Sequence, residues 1–322
     1  MKAVRIHTRG STDVMQLEEI EQPTPGEGQV LIRASVAGVN YADIGQRQGN
    51  YPNLEPLPLT LGSEVAGTVV AHGPGVTTPT IGTRVVSLVT GGYAEYAVAP
   101  ANEVVPIAEN VSDAQATVIP IQGQTAYMLL DKAIRFQKGE RLLVHAASGG
   151  VGSLAVQLAK TMGASMVIGT TTSPEKSDFL HSLGVEVIVN TKDAHWVEQV
   201  MQATQGQGVS AVLDSVGNGI GQQSIACLAP FGKMAVYGSL TNEVTPLITQ
   251  MLIPKCQSII GYNTLIQPLG DKMRASHALM QALSNGQLRV SLDDRFTLAQ
   301  ATEAHKQIEA SKTHGKVVLK IQ

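Results

Sequence analysis

The run Leu142-Leu143-Val144-His145-Ala146 and the turn after it, Ala147-Ser148-Gly149-Gly150-Val151-Gly152, constrain this chain more than any other segment. A continuous apolar run of this length suits a strand buried on both faces, as in a parallel sheet. The turn reads G-x-G-x-x-G with Ala147 in the first glycine's place, and a helix is expected over 150–162, ended by Gly163. In that setting the glycines serve the tight turn, the close approach of backbone to a pyrophosphate, and the close packing of helix on strand. The helix N-terminus offers unpaired N–H groups and the positive end of its dipole. With 32 glycines in 322 residues such strings also arise by chance, and an ordinary tight turn is the alternative. The flanking strand and helix favour a dinucleotide site.

The same rhythm repeats downstream. Apolar runs at 166–169, 187–190, 209–214, 233–238 and 258–261 alternate with helical segments at 174–183, 194–204, 220–228 and 246–253. Six buried strands alternating with helices predict an α/β fold with a doubly wound parallel sheet. The first hundred residues differ. Short strands rich in Val, Ile, Tyr and Thr are expected at 2–8, 14–21, 29–39, 64–72, 84–89 and 93–99, separated by turn clusters such as Gly73-Pro74-Gly75. Their spacing suggests a small barrel or sandwich. A short helix is expected at 41–48, and Ser112 can cap a helical stretch to about 133. The tail from 264 holds helices at 269–284 and 298–311 and strands that the parallel sheet does not need. It is expected to pack back on the β-rich domain, giving residues 1–120 with 265–322 as one domain and 121–264 as the dinucleotide-binding one.

Composition narrows the function. A net charge of −3 lacks the basic stripe of a nucleic-acid binder. The uncharged runs at 65–83 and 142–159 are broken by histidine, proline and glycine, so no membrane span is expected. Cys227 and Cys256 are too few for a disulfide framework or a structural zinc lobe and are expected to be buried small hydrophobes. Met1 leads directly into charged, alternating sequence, and a reduced, cytoplasmic protein is expected.

The second apolar run identifies the expected cofactor. NAD sites carry an acid at its end to bind the ribose 2′-hydroxyl. Here the run ends Gly169-Thr170-Thr171-Thr172-Ser173, followed by Pro174-Glu175-Lys176. Hydroxyls and Lys176 suit a 2′-phosphate, and Glu175 reads as a helix N-terminal charge. NADPH is therefore expected, bound by Ser148, Gly149, Gly150, Val151, Gly169, Thr170, Ser173 and Lys176. Ligands sit at the carboxyl ends of parallel strands, which adds Asn190. Asp214 is expected to cap the turn after its strand.

His145 to Gly152, with Gln157-Leu158-Ala159-Lys160 after them, resemble the quinone oxidoreductase branch of the medium-chain dehydrogenase/reductase superfamily, which includes zeta-crystallin. Gly38-Val39-Asn40-Tyr41-Ala42-Asp43, Gly62-Ser63-Glu64-Val65-Ala66-Gly67, Thr125-Ala126-Tyr127 and Gly315-Lys316-Val317-Val318-Leu319 are similar to that family's other blocks. The resemblance implies a GroES-like catalytic domain, a Rossmann domain, a cleft between them and a homodimer. It adds Thr125, Val216, Gly238 and Ser239 to the cofactor contacts.

Zinc members of the superfamily place a cysteine where Asn40 stands and a histidine where Ser63 stands. Neither residue is a plausible zinc ligand, so no metal is expected. Alcohol oxidation needs a Lewis acid or a strong base at the alkoxide. A site without either suits hydride delivery to acceptors that are already electrophilic. The expected function is an NADPH-dependent, zinc-independent oxidoreductase acting on quinones. The alternatives are a reductase of α,β-unsaturated carbonyls and a noncatalytic NADPH-binding protein. Asn40 is the first candidate for a polar contact with nicotinamide or substrate carbonyl. Tyr41 or Tyr51 can donate to the oxyanion, and Arg47 is either a contact or a surface charge. Many relatives carry a tyrosine where Gly45 stands, so an enlarged cleft is expected there.

Overall fold

Leu142, Leu143 and Val144 have no side to turn to water, and all three are fully buried. The computed structural model, which describes every residue except Asn242, Val244 and Gln322, sets that run in the middle of a parallel sheet. In chain order the strands are β1 (Lys2–Ile6), β2 (Gln16–Glu19), β3 (Gln29–Val39), β4 (Leu59–Thr60), β5 (Glu64–His72), β6 (Arg84–Leu88), β7 (Tyr96–Pro100), β8 (Val105–Pro106), β9 (Arg141–Val144), β10 (Met166–Thr170), β11 (Val187–Val189), β12 (Val209–Asp214), β13 (Leu228–Val236), β14 (Ser258–Gly261), β15 (Leu292–Thr297) and β16 (Lys316–Lys320). The α-helices are α1 (Tyr41–Gln48), α2 (Asp113–Ala116), α3 (Gln124–Met128), α4 (Gly150–Thr161), α5 (Ser177–Ser182), α6 (Trp196–Ala203), α7 (Asn218–Cys227), α8 (Leu269–Ser284) and α9 (Ala301–Glu309). The chain divides into two units, Met1–Gln122 with Pro268–Gln322, and Gly123–Gln267.

In the second unit, six strands run in the order β11-β10-β9-β12-β13-β14, and every neighbouring pair is parallel. This is the doubly wound order, which reverses between β9 and β12. The apolar runs of the sequence are its strands. Leu143, Ile168, Val212 and Met234 pack with Trp196, Val200 and Ile225 from the covering helices. Each such side chain contributes roughly 1.5–3 kcal/mol when fully buried. The segment around residue 250 departs from expectation. The helix expected at 246–253 is a 3-10 turn, Thr249–Lys255, with Pro254 inside it and Cys256 closing it at φ +51°; a proline without an N–H cannot extend an α-helix there. Cys256 is exposed, not buried, whereas Cys227 is buried as expected.

In the first unit, β15-β16-β3-β5-β6-β8 form a sheet with β7 also on β3, and β2-β1-β4 form a smaller one. Ile6, Ile32, Val65, Val85, Tyr93 and Leu319 lie in its core. Ser112 caps α2 by accepting from Gln115 N, but the stretch after it is not one α-helix. The π-helical turns Ile119–Gly123 and Leu129–Ala133 interrupt it, the first at Pro120, which has no N–H to give. The tail joins through β16, antiparallel to β3 with Val317 opposite Val39. On the other side β3 pairs β5, with Ala37 opposite Val65. This register brings Asn40, Glu64 and Lys316 to one end of the sheet.

Candidate active site

The turn after β9 is fixed by its backbone. His145 N–H donates to Leu213 O and Ala147 N–H to Thr170 O, each at 3.0 Å, which ties the turn to β12 and β10. Between them Ala146 adopts φ +48°, a left-handed conformation that costs a residue with a side chain roughly 1–2 kcal/mol. Gly149 caps α4 in an extended conformation and has no side-chain oxygen to offer. The first N–H groups of α4, on Gly150, Val151 and Gly152, are left for an anion. A Cβ on Gly152 would stand 2.5 Å from Ala146 O and 2.8 Å from Ala147 Cα, so only glycine lets the helix rest on the turn. Ser148 is buried, and Gly149, Gly150 and Val151 are half-buried. A pyrophosphate fits this cradle by shape and by charge.

The ends of the neighbouring strands sort the other expected contacts. Thr170 is only 2% exposed, and its hydroxyl has an internal partner. Ser224 Oγ gives its proton to Ile220 O at 2.7 Å, so it must accept from His145 Nε2, also at 2.7 Å. Burial lowers the His145 pKa to about 4 and keeps the ring neutral. Its Nδ1 is therefore the acceptor, and Thr170 Oγ1 donates to it at 3.1 Å. Thr170 thus braces the sheet and does not offer a hydroxyl to a phosphate. Gly169 is buried beneath the turn, where a Cβ would lie 3.0 Å from Ala147 Cβ; its role there is packing. Ser173 and Lys176 stay half-buried at the end of β10 with no carboxylate on the strand's tip, and Glu175 is exposed beyond them. Burial lowers the Lys176 pKa and Glu175 partly offsets it.

Asn190 Oδ1 accepts from Lys192 N at 3.0 Å. Asp214 Oδ1 accepts from Val216 N at 2.8 Å and Gly217 N at 3.2 Å, so it caps the turn as expected. Gly217, at φ +77°, carries the chain past Ser239, whose Oγ would lie 3.2 Å from a Cβ there. Val216 and Gly238 are half-buried and Ser239 is exposed; Thr125, on α3, is half-buried.

The polar cluster of the first unit is denser than its sequence suggests. Asn40 precedes α1 and is 4% exposed. Its Nδ2 donates to Glu64 Oε1 at 2.8 Å. Its Oδ1 accepts from Gln122 Nε2 and Lys316 Nζ, each at 3.2 Å. Its backbone N–H donates to Asp43 Oδ2 at 2.8 Å. The other Asp43 oxygen accepts from Ser63 Oγ. Tyr93 Oη donates to Asp43 Oδ2 at 3.2 Å and meets His305 Nε2 at 3.0 Å. Burial outweighs these donors and pushes the Asp43 pKa up to about 6.

The two tyrosine candidates feel different charges. Burial and Asp43 raise the Tyr51 pKa, whereas burial and Glu309 raise that of Tyr41. Asn40 is bonded to Asp43 and Tyr51 feels its charge, whereas Tyr41, 41% exposed, feels Glu309 instead. The room expected at Gly45 is already taken: a Cβ there would lie 3.3 Å from the Tyr51 ring. Arg47 is 1% exposed and pairs with Glu309 at 2.6 Å, so it is neither a ligand contact nor a surface charge.

Sequence reasoning passes over Asp43, Tyr93, Gln122, His305 and the Glu64–Lys316 pair. The one signal is Lys316 itself, a charged residue opening an apolar strand. Among the described residues no three His, Cys, Asp or Glu side chains are grouped so as to hold a metal ion.

Residues 26–109 match the family description "Alcohol dehydrogenase GroES-like domain", and residues 150–275 match "Zinc-binding dehydrogenase". A 2-haloacrylate reductase from a Burkholderia species is 32% identical over 98% of both chains. A quinone oxidoreductase from Pseudomonas aeruginosa is 31% identical over 99% of both. A mycobacterial protein solved in complex with NADPH superposes with a TM-score of 0.94 at 34% identity, over 99% of this chain and 100% of its own. The quinone oxidoreductase of Escherichia coli, also solved with NADPH, gives 0.93 at 29% identity over the same shares. The present chain is thus matched in both domains and over nearly its whole length, and it carries asparagine and serine where zinc members carry ligands. The chain belongs to the zinc-independent quinone oxidoreductase branch of the medium-chain dehydrogenase/reductase superfamily.

Proposed function

We propose that this protein is an NADPH-dependent reductase of electrophilic carbonyl acceptors, with quinones as the leading class. NADPH supplies the hydride when bound. The α4 N-terminus and its glycine turn hold the pyrophosphate, Ser173 and Lys176 hold the 2′-phosphate, and Thr125, Asn190, Val216, Gly238 and Ser239 line the rest. One observation carries the reading of the chemistry. At the zinc-ligand positions stand Asn40 and Ser63, tied by hydrogen bonds to Glu64 and Asp43. Ser63 spends its hydroxyl proton on Asp43, Asn40 keeps one N–H for a carbonyl oxygen, and the pair is no ligand set to activate an alcohol. Asn40 and Tyr51 are the donors to the oxygen that gains charge. One such donor is worth roughly 10²–10³ in rate. Tyr41 is the lesser candidate.

The second reading is reduction of an activated carbon–carbon double bond. The 2-haloacrylate reductase matched over 98% of both chains favours it, because such an acceptor also ends in a carbonyl oxygen beside the reacting bond. We further read the protein as a cytoplasmic homodimer. Among the described residues no helix is long and apolar enough to cross a membrane.

The test is NADPH consumption by the purified protein with a panel of quinones, enones, alkenals and 2-haloacrylates. Turnover of quinones above the others supports the first reading, and preference for the alkenes supports the second. Tight NADPH binding without turnover of any member would leave a noncatalytic NADPH-binding protein.

A further inference from the structure

Lys316 and Glu64 form an ion pair in which both side chains are fully buried. Such a pair adds little to stability, because desolvation offsets most of the Coulomb gain and apolar residues of similar volume often serve as well. Glu64 Oε2 is buried without a hydrogen-bond partner, so the pair is not even fully satisfied. The fold nonetheless makes room for it. A Cβ on Gly38 would stand 2.1 Å from Glu64 Oε1 and 2.7 Å from Lys316 Cε.

The effect of the pair is seen in Asn40. An ammonium only donates and a carboxylate only accepts. With Lys316 Nζ at Asn40 Oδ1 and Glu64 Oε1 at Asn40 Nδ2, the amide has one allowed orientation. A flip would set NH₂ against ammonium and carbonyl against carboxylate. Gln122 Nε2 also binds Oδ1, and two lone pairs are all that oxygen has. One Nδ2 proton is given to Glu64. The remaining capacity of Asn40 is a single N–H donor, and the positive charge on Lys316 strengthens it through the amide.

We propose that Lys316, held in place by Glu64, is a positioning residue that fixes and polarises Asn40 as a hydrogen-bond donor to the acceptor's oxygen. The inference rests on the reductase reading and deepens it. A donor-only Asn40 selects acceptors with a carbonyl or carboxylate oxygen, and its bond strengthens as negative charge grows there. Lys316 acts on that charge without touching the substrate.

Lys316→Met alone strands a buried carboxylate, so the informative variant is the neutral double Lys316→Met/Glu64→Gln, whose residue 64 still accepts from Asn40. It is expected to unfold cooperatively and to bind NADPH within about twofold of the parent. Its kcat is expected to fall about 10- to 100-fold, with KM changed less than about threefold. A kcat within about twofold of the parent in this folded variant would overturn the proposal. A second readout needs no turnover. The side-chain amide resonance of Asn40, assigned by its loss in Asn40→Asp, is expected to shift and exchange faster in the double variant. An unchanged resonance overturns the proposal even if kcat falls. A shifted resonance in a protein that reduces no acceptor defeats the reductase reading and leaves the positioning of Asn40 supported.

Discussion

Lys176 is the side chain on which the choice of cofactor turns. It stands half-buried six residues beyond the end of β10, a strand whose tip lacks the acid that a dinucleotide site of the NAD type would carry. A charge-assisted bond to a phosphate contributes about 1.5–3 kcal/mol. Lys176→Ala should therefore weaken NADPH binding roughly 10- to 100-fold and leave NADH nearly unchanged. Equal loss for both nucleotides in fluorescence titrations would remove the residue from the phosphate site.

His305 makes a second residue-scale prediction. Burial and Arg47 lower its pKa to about 3, so it is neutral in the fold and protonates near its ordinary value once unfolded. The unfolded chain binds more protons below the ordinary histidine range, and stability falls as pH drops from about 6.5 toward 3. His145 acts in the same direction, with its pKa at about 4. Asp43 acts in the opposite direction, because its raised pKa gives a contribution that is present at low pH and lost as pH rises through about 6. The lowered carboxyls of Glu18, Asp193 and Asp294 act with the two histidines against Asp43, so acid is expected to destabilise the protein. Urea midpoints at neutral pH and near pH 4 should differ less in His305→Phe than in the parent. An unchanged difference would exclude His305 as a source of acid lability.

Among elements, the junction of β9 and α4 is the most constrained. Gly152→Ala forces a methyl against Ala146 O and Ala147 Cα. Overpacking of this kind costs roughly 1–3 kcal/mol. The second unit should lose about that much in denaturant titrations, and NADPH should bind more weakly. Wild-type stability and affinity together would show that the helix can shift without cost.

The same junction shows what is legible in the sequence. Leu142–Val144 and the glycines after them mark a strand, a turn and a helix because burial on two faces and bare backbone each leave a local pattern. The first unit's polar network leaves none. Asn40, Glu64 and Lys316 are joined by the register of three strands, and Asp43 meets Tyr93 and His305 only through the packing of α1 and α9. Thr170 misleads for a related reason. Its place at a strand's carboxyl end is visible in the sequence, but the turn of its hydroxyl toward His145 depends on a helix more than fifty residues away in the chain. Gly45 likewise reads as lost volume until the Tyr51 ring is seen against it.

At the scale of the whole molecule, β14 ends the six-stranded sheet with one edge unpaired among the described residues. Exposed edges of this kind invite pairing with another strand. Leu247, Ile248, Met251, Ile253 and Ile266 are exposed in the same part of the unit. A second copy pairing along β14 would satisfy the backbone and cover these side chains, in line with the homodimer proposed from the family resemblance. Light scattering should give a dimer for the parent and a smaller species for Ile253→Glu/Ile266→Glu. A monomeric parent would contradict the assembly.

The central claim is that hydride passes from NADPH to an acceptor whose oxygen is held by donors of this chain. The most direct measurement uses NADPH carrying deuterium at the transferable position, with an enone as acceptor. Deuterium is expected on the β-carbon of the saturated product, and a solvent proton on the α-carbon. A product without deuterium at the β-carbon, or protein that binds NADPH and reduces neither enones nor quinones, would contradict the claim.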